Sequence, residues 1–122
     1  SDIEWDYDVF WCEVAGVSKQ DNEYRVKAEA VADIIREKAG GRVGYVRSRE
    51  IPVSVNSRAG YRIEGNVIRS DSYDSEMEKS KAIKDLLNGE EMFADDPVEV
   101  EVANGQTQWY ISAFFCPDQL QN

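Results

Sequence analysis

Residues 109–115, near the end of the chain, limit most strongly how this sequence can fold. All of them except Ser112 are apolar or aromatic, so both faces of a strand here are hydrophobic. A strand with two apolar faces is typical of the middle of a sheet, where both faces are covered. We therefore expect this strand to be central.

A hairpin is predicted to lead into that strand. Asn104-Gly105 is the strongest short-range turn signal, because both positions tolerate a positive φ. A two-residue loop there places apolar or β-branched partners on one face, so turn and pattern agree on the register. The predicted pairs are Val102 with Thr107, Val100 with Trp109, and Val98 with Ile111.

The rest of the chain reads as alternating strands and helices. Residues 3–14 form a predicted strand, because apolar residues alternate there with acids. A helix is predicted to start at Ser18 or Asp21 and to end at Gly40-Gly41. Residues 42–55 and 61–69 are predicted to form an arginine-bearing hairpin around a turn at residues 56–60. A second helix follows, from Ser72 or Asp74 to Asn88-Gly89.

These elements predict one α+β domain over residues 1–122, which is close to the commonest domain size. The predicted order is β-α-β-β-α-β-β. We expect two helices on one face of a mainly antiparallel sheet of about five strands, in a ferredoxin-like or related topology.

Histidine is absent from the chain, which excludes Ser-His-Asp and Cys-His catalysis and histidine zinc sites. No catalytic motif, cofactor or metal site is predicted, so the protein is expected not to be an enzyme. Cys12 and Cys116 are the only cysteines, and both lie in predicted buried strands. Reduced, buried thiols are the favoured interpretation, and a cross-strand bridge is the alternative.

The net charge is −10, and acids form two candidate partner-binding groups. Trp5 and Tyr7, between acids of the first strand, are candidate exposed interface aromatics. The acids at the start of the second helix are interpreted as stabilising it, because negative charge is favourable at the positive end of the helix dipole. These acids are Asp71, Asp74, Glu76 and Glu78. The candidate contacts themselves are Glu4, Asp6, Asp8, Glu90, Glu91, Asp95 and Asp96.

Residues 42–69 oppose this acidity, with six arginines, no lysine and two acids. Arginine suits bidentate contacts to phosphate or carboxylate, and tyrosines can stack on bases. The same arginines could instead pair with acids inside the molecule. The alternative basic site comprises Arg47, Arg49, Arg58, Arg62, Tyr45 and Tyr61.

In composition alone, the chain looks like inhibitors encoded by phages or mobile elements, DNA mimics and immunity proteins. We therefore expect a cytoplasmic, non-enzymatic inhibitor whose carboxylates block a basic, nucleic-acid-handling protein. The alternatives are a nucleic-acid or nucleotide-binding domain that uses Arg42–Arg69, and an assembly component of a virion or larger complex. Neither a membrane segment nor a secretory signal is predicted.

Overall fold

The computed structural model describes residues 3–59, 61–105 and 107–118. Its elements are β1 (Glu4–Cys12), α1 (Glu23–Lys38), β2 (Arg42–Ile51), α2 (Val53–Asn56), β3 (Gly65–Ser70), α3 (Asp74–Asn88), a 3-10 turn (Glu91–Phe93), β4 (Glu99–Val102) and β5 (Tyr110–Cys116). The α+β class is confirmed, and the five strands form one sheet. Among the described helices, none is long and apolar enough to span a bilayer.

The sheet is mixed, with strand order β2-β1-β5-β3-β4. Strand β1 runs parallel to both β2 and β5, and β3 runs parallel to β4. The only antiparallel pairing among the described strands joins β3 to β5. The predicted mainly antiparallel sheet is therefore wrong, and the ferredoxin-like topology is not confirmed.

Both predicted hairpins are wrong as well. Strands β2 and β3 are separated by β1 and β5, while β4 pairs with β3 and not with β5. Gly105 does adopt a positive φ of 86°, but the turn there does not join two neighbouring strands. Gly60 of the predicted turn and Gln106 of the predicted hairpin, just after its two-residue loop, lie outside the described residues.

The two long helices explain why the sheet is mixed and why neither predicted hairpin forms. Each connects two parallel neighbours, so that β1-α1-β2 and β3-α3-β4 are βαβ units. A parallel connection needs a long crossover, and an amphipathic helix supplies one while burying its own apolar stripe. Strand β5 then lies between the two units and pairs with β1 on one side and β3 on the other.

Both long helices cover the same face of the sheet, where the larger hydrophobic core forms. Helix α1 begins one residue after Asn22, rather than at the predicted Ser18 or Asp21. The Asn22 Oδ1 accepts hydrogen bonds from the backbone N–H groups of Tyr24 (2.8 Å) and Arg25 (3.2 Å). Asn22 therefore satisfies two of the amide groups left free at a helix start.

The first strand turns its aromatic residues toward the helices. Trp5 is 8% exposed and Tyr7 is fully buried, which corrects the prediction that they form an exposed interface. Trp5 and Tyr7 alternate with acids along β1, so the two aromatic residues share one face of the strand. The long helices cover that face. Burial raises the pKa of Tyr7 to about 12, and its hydroxyl has no hydrogen-bond partner among the described residues.

The opposite face carries a smaller apolar cluster at one end of the sheet. Cys12 and Cys116 form a disulfide there, with their Cα atoms 4.9 Å apart, so the expectation of reduced thiols is wrong. The two cysteines are the last residues of the neighbouring strands β1 and β5. The sequence alone could not predict this disulfide, because it depends on the strand order. Val55 of α2 packs against this cluster, because the predicted strand over residues 42–55 stops before Pro52 and turns into α2.

Replacing Tyr7 by Phe is expected to raise the free energy of unfolding by about 1 kcal/mol. The change removes a buried hydroxyl that makes no hydrogen bond to any described residue, and it keeps the ring in the core. Chemical denaturation measures this difference. The matched control is Tyr110→Phe, which loses a bonded hydroxyl and is expected to lower stability; a loss of stability in Tyr7→Phe would contradict the assignment.

Candidate functional site

The sheet face opposite the two long helices, here called the open face, gathers several of the predicted site residues. Strand β1 places Asp6 and Asp8 on this face, and the strand pairing determines which residues of β2 and β5 lie beside them. Asp8 lies beside Arg47 of β2 on one side and Ser112 of β5 on the other. Residues from distant parts of the chain therefore meet on this face.

Asp8 is the centre of a charged network. Its side chain is 3% exposed, although it was predicted to be an accessible partner contact. Arg47 donates from Nε to Oδ1 (2.7 Å) and from Nη2 to Oδ2 (2.9 Å). The Tyr110 hydroxyl donates to Oδ2 at 2.6 Å. Asp8 therefore acts as an internal anchor for two side chains rather than as a free carboxylate.

The pKa of Asp8 reflects two opposing effects. Burial alone would raise this pKa, but hydrogen bonds from Arg47 and Tyr110, together with the charges of Arg47 and Arg49, lower it below the ordinary value. The Tyr110 pKa is raised by burial and by the bond to Asp8. At neutral pH, Asp8 is thus ionised and Tyr110 protonated, an arrangement suited to binding rather than to proton transfer.

Tyr45 and Asp6 border this network. The Arg47 guanidinium lies 4.1 Å from the centroid of the Tyr45 ring, and Asp6 Oδ1 accepts the backbone N–H of Tyr45 (3.0 Å). Gly44 permits that contact, because a Cβ at this position would collide with Asp6 Oδ1. The predicted acids and arginines of these strands therefore largely pair with one another.

A pocket of about 450 Å³ opens beside the network on the same face. Phe10 and Phe114 stack with their ring centroids 5.0 Å apart and their planes within 10° of parallel. The Arg69 guanidinium lies 5.4 Å from the Phe114 centroid and forms an ion pair with Glu101 at 3.3 Å. The lining consists of Phe10, Glu50, Ile51, Pro52, Val55, Tyr61, Arg69, Tyr110, Ser112 and Phe114.

The remaining residues of the predicted basic site differ in their surroundings. Arg49 lies beside Phe10 in the strand register, and its one ion pair among the described residues, to Asp8, is 4.0 Å long. Tyr61 lines the pocket and is 44% exposed. Arg58 and Arg62 lie between α2 and β3, exposed and without an ion pair to any described residue.

The predicted acidic site does not form one surface. Glu4 is exposed beside Arg42 on β2. The four acids between residues 90 and 96, here called the second acidic group, lie instead next to α1 on the helix side of the sheet. There Glu90 pairs with Lys38 (3.1 Å) and Asp96 with Lys27 (3.3 Å). The exposed members of this group without an ion pair to a described residue are Glu91 and Asp95.

Sequence reasoning missed the aromatic residues of the pocket, Phe10, Tyr110 and Phe114. The signal was present for Phe10, because the alternation that places Asp6 and Asp8 on one face continues to it. No sequence signal pairs Phe10 with Phe114, since their contact depends on the strand order.

Replacing Asp8 by Asn is expected to lower the free energy of unfolding by about 2 kcal/mol at pH 7, because three charge-assisted hydrogen bonds to the carboxylate are weakened or lost. The pKa of Asp8 is lowered in the folded state, so its stabilisation is present above the ordinary Asp pKa of about 3.9 and is lost as the pH falls through the lowered value.

Denaturation of both proteins at several pH values tests this expectation. The difference between wild type and Asp8→Asn should be full near pH 7 and should shrink below about pH 4. Glu4→Gln is the control, because its ion pair with Arg42 is exposed. A constant difference across this range would contradict the role given to the ionised carboxylate.

No protein-family model matches this chain. The searches of curated proteins and of solved structures also give no match. The chemistry available to the protein therefore has to be inferred from its own side chains.

Proposed function

We propose that this protein is a non-enzymatic binding module for a nucleotide, or for a short single-stranded stretch of nucleic acid, held in the open-face pocket. The observation that supports this most directly is the pocket itself, which combines aromatic rings with a guanidinium group. A nucleotide joins a flat aromatic base to an anionic phosphate, so one site has to supply both kinds of contact.

The pocket has a suitable size and lining for such a ligand. Its volume of about 450 Å³ falls within the usual range for small-molecule sites, which are mostly apolar with a few polar groups. The exposed ring of Tyr61 offers a surface on which a base can stack. Stacking of this kind tolerates different bases, so we expect little base specificity.

Arg49 and Arg69 are the proposed phosphate contacts. Arg69 lines the pocket, and its ion pair with Glu101 restrains the guanidinium over Phe114. Arg49 is about half exposed, and its 4.0 Å separation from Asp8 leaves donors available for a second anion. Arginine presents several N–H donors in a planar fork, which matches phosphate oxygens.

The net charge of −10 limits the proposed ligand to a short one. A long polyanion gains affinity when a protein neutralises many phosphates, and this surface supplies few unpaired cations. Long-range repulsion also opposes the approach of such a polymer. A mononucleotide or a few linked nucleotides needs only the local arginines.

Binding of nucleoside mono-, di- and triphosphates and of short oligonucleotides can be measured by NMR chemical-shift perturbation. We expect shifts confined to residues around the pocket. Tyr61→Ala and Arg49→Ala should each weaken binding about tenfold, the scale of one stacked base or one charged contact.

The matched controls are Tyr73→Ala, which removes an exposed tyrosine outside the pocket, and Arg25→Ala, which removes an arginine of α1. Both should bind like the wild type. Absence of binding by any of these ligands at millimolar concentration, or equal losses in the control variants, would refute the proposal.

A second candidate function is inhibition of a basic, nucleic-acid-handling protein, and the observation that favours it is the net charge of −10. The exposed carboxylates of Glu91 and Asp95 are the best remaining contacts for such a partner, since Asp8 is internal.

An affinity pull-down from nuclease-treated lysate tests this candidate function. We expect it to recover a basic partner whose binding weakens steeply with salt. The double variant Glu91→Gln, Asp95→Asn should bind this partner less tightly than the wild type. Binding that is unchanged between low and high salt would argue against inhibition.

Two further proposals, a cytoplasmic location and an assembly role, have direct tests. The disulfide between Cys12 and Cys116 bears on the location, because such bonds persist mainly in oxidising compartments. Thiol trapping in cells would report whether the bond forms where the protein acts. An assembly role would be supported if the protein were recovered in a large complex rather than with a soluble ligand.

A further inference from the structure

Tyr45 is an exposed aromatic residue of the open face that lies outside the lining of the proposed nucleotide pocket. Its exposed fraction is 40%, close to the 44% of Tyr61 inside the pocket. Tyr45 belongs to β2, an edge strand of the sheet, so no further described strand restricts access from that side. The open face therefore presents two accessible tyrosine rings, of which the proposed function uses one.

Strand β2 connects Tyr45 to the pocket through alternate residues, here called the β2 row: Tyr45, Arg47 and Arg49. Alternate residues of a strand share one face and lie about 7 Å apart, so the row extends over about 13 Å. Arg49 lies beside Phe10 in the strand register, and Phe10 lines the pocket. The β2 row thus leads from an outer ring to the edge of the pocket.

The Tyr45 side chain is held in position by its neighbours. The Arg47 guanidinium lies 4.1 Å from the centroid of the Tyr45 ring, and its Nη2 donates to the Tyr45 hydroxyl at 3.3 Å. Arg47 is in turn fixed by its two hydrogen bonds to Asp8. A ring that is restrained and yet 40% exposed loses little conformational entropy when a base stacks on it.

The middle of the β2 row offers donors for one anionic group. The Arg49 side chain is 52% exposed, and its only ion pair with a described residue, to Asp8, is 4.0 Å long. Among the described residues, Arg47 forms its hydrogen bonds through Nε and Nη2, and Nη1 takes part in none of them. Guanidinium N–H groups match phosphate oxygens. Donors for one phosphate between two aromatic rings correspond to the chemistry of a dinucleotide.

We propose that the open face binds two linked nucleotides of a single strand, with one base on Tyr61 in the pocket, the next base on Tyr45, and the phosphodiester between them on Arg49. This inference rests on the proposed nucleotide-binding function and names its ligand more closely. Aromatic side chains that stack successive bases, combined with cations along the backbone, are the usual means of holding a single strand. Because every base has a π-face, the two-base site is expected to tolerate different sequences.

The site is expected to accept two nucleotides and no more. Toward the start of β2, the row ends beside Asp6, which accepts the Tyr45 backbone N–H, and Arg42 is already paired with Glu4 at 3.4 Å. A third phosphate placed there would meet the carboxylates of β1. The net charge of −10 also opposes a longer polyanion.

Calorimetric titration of the whole protein tests the proposal with three ligands: thymidine 5′-monophosphate, a dithymidine dinucleotide and a trithymidine. The dinucleotide should bind about tenfold more tightly than the monophosphate, which is the scale of one additional stacked base. The trinucleotide should give no further gain of this size. A dinucleotide with an abasic sugar in place of one nucleoside keeps the phosphodiester and should lose the gain. These comparisons use the wild type, so they do not depend on the folding of any variant.

Variants of Tyr45 test whether it is the outer ring. In Tyr45→Ala, the ratio of dinucleotide affinity to mononucleotide affinity should fall from about ten to about one, because the second base has no platform. Tyr45→Phe keeps the aromatic face and should keep the ratio. Tyr61→Ala should weaken the binding of both ligands. Tyr73→Ala is the matched control, since it removes an exposed tyrosine outside the site and should change neither affinity.

Four results would contradict the two-base site. Equal affinity of the wild type for mononucleotide and dinucleotide would overturn it and leave the single-nucleotide pocket intact. Full affinity for the abasic dinucleotide would overturn it as well, because the gain would then come from the phosphodiester alone. Absence of binding by all of these ligands would refute both proposals. A glutamate-rich peptide that binds more tightly than the dinucleotide, and loses this binding in Tyr45→Ala, would assign the β2 row to an acidic protein partner instead.

Discussion

The architecture depends on the position of β5 between two βαβ units. Its residues Ile111, Ala113 and Phe115 complete the core under the long helices, while Phe114 and Cys116 complete the cluster on the open face. No other described strand is buried so continuously, and β5 is the middle strand of the sheet, with β1 on one side and β3 on the other. Without β5, the sheet would divide into two separate units, each with one face of its core uncovered.

The same arrangement explains why the open face is chemically unusual. The long helices leave this face without a covering layer, so residues that would otherwise meet solvent are buried by their neighbours in the sheet. Asp8 is buried in this way, beneath Arg47 and Tyr110. A buried carboxylate that holds two side chains in place makes the edge of the adjacent pocket rigid, which lowers the entropic cost of binding a ligand there.

Sequence reasoning predicted the elements better than their partners. The first helix and the strand over residues 109–115 were found because their signals are local: a helical apolar stripe and two apolar strand faces. Asn104-Gly105 was also a strong local signal, yet the turn there joins no neighbouring strands. The contacts of Asp8 with Arg47 and of Phe10 with Phe114 could not be predicted, because register between distant strands depends on the complete topology.

The strand order also has a consequence for synthesis. Since β5 is the last strand of the sheet along the chain, a ribosome releases both βαβ units before the strand that joins them. Until then, the edges of β1 and β3 that will receive β5 are unpaired, and such edges are prone to join other chains. The newly made protein therefore passes through a stage in which any extended apolar segment of suitable length competes with its own final strand.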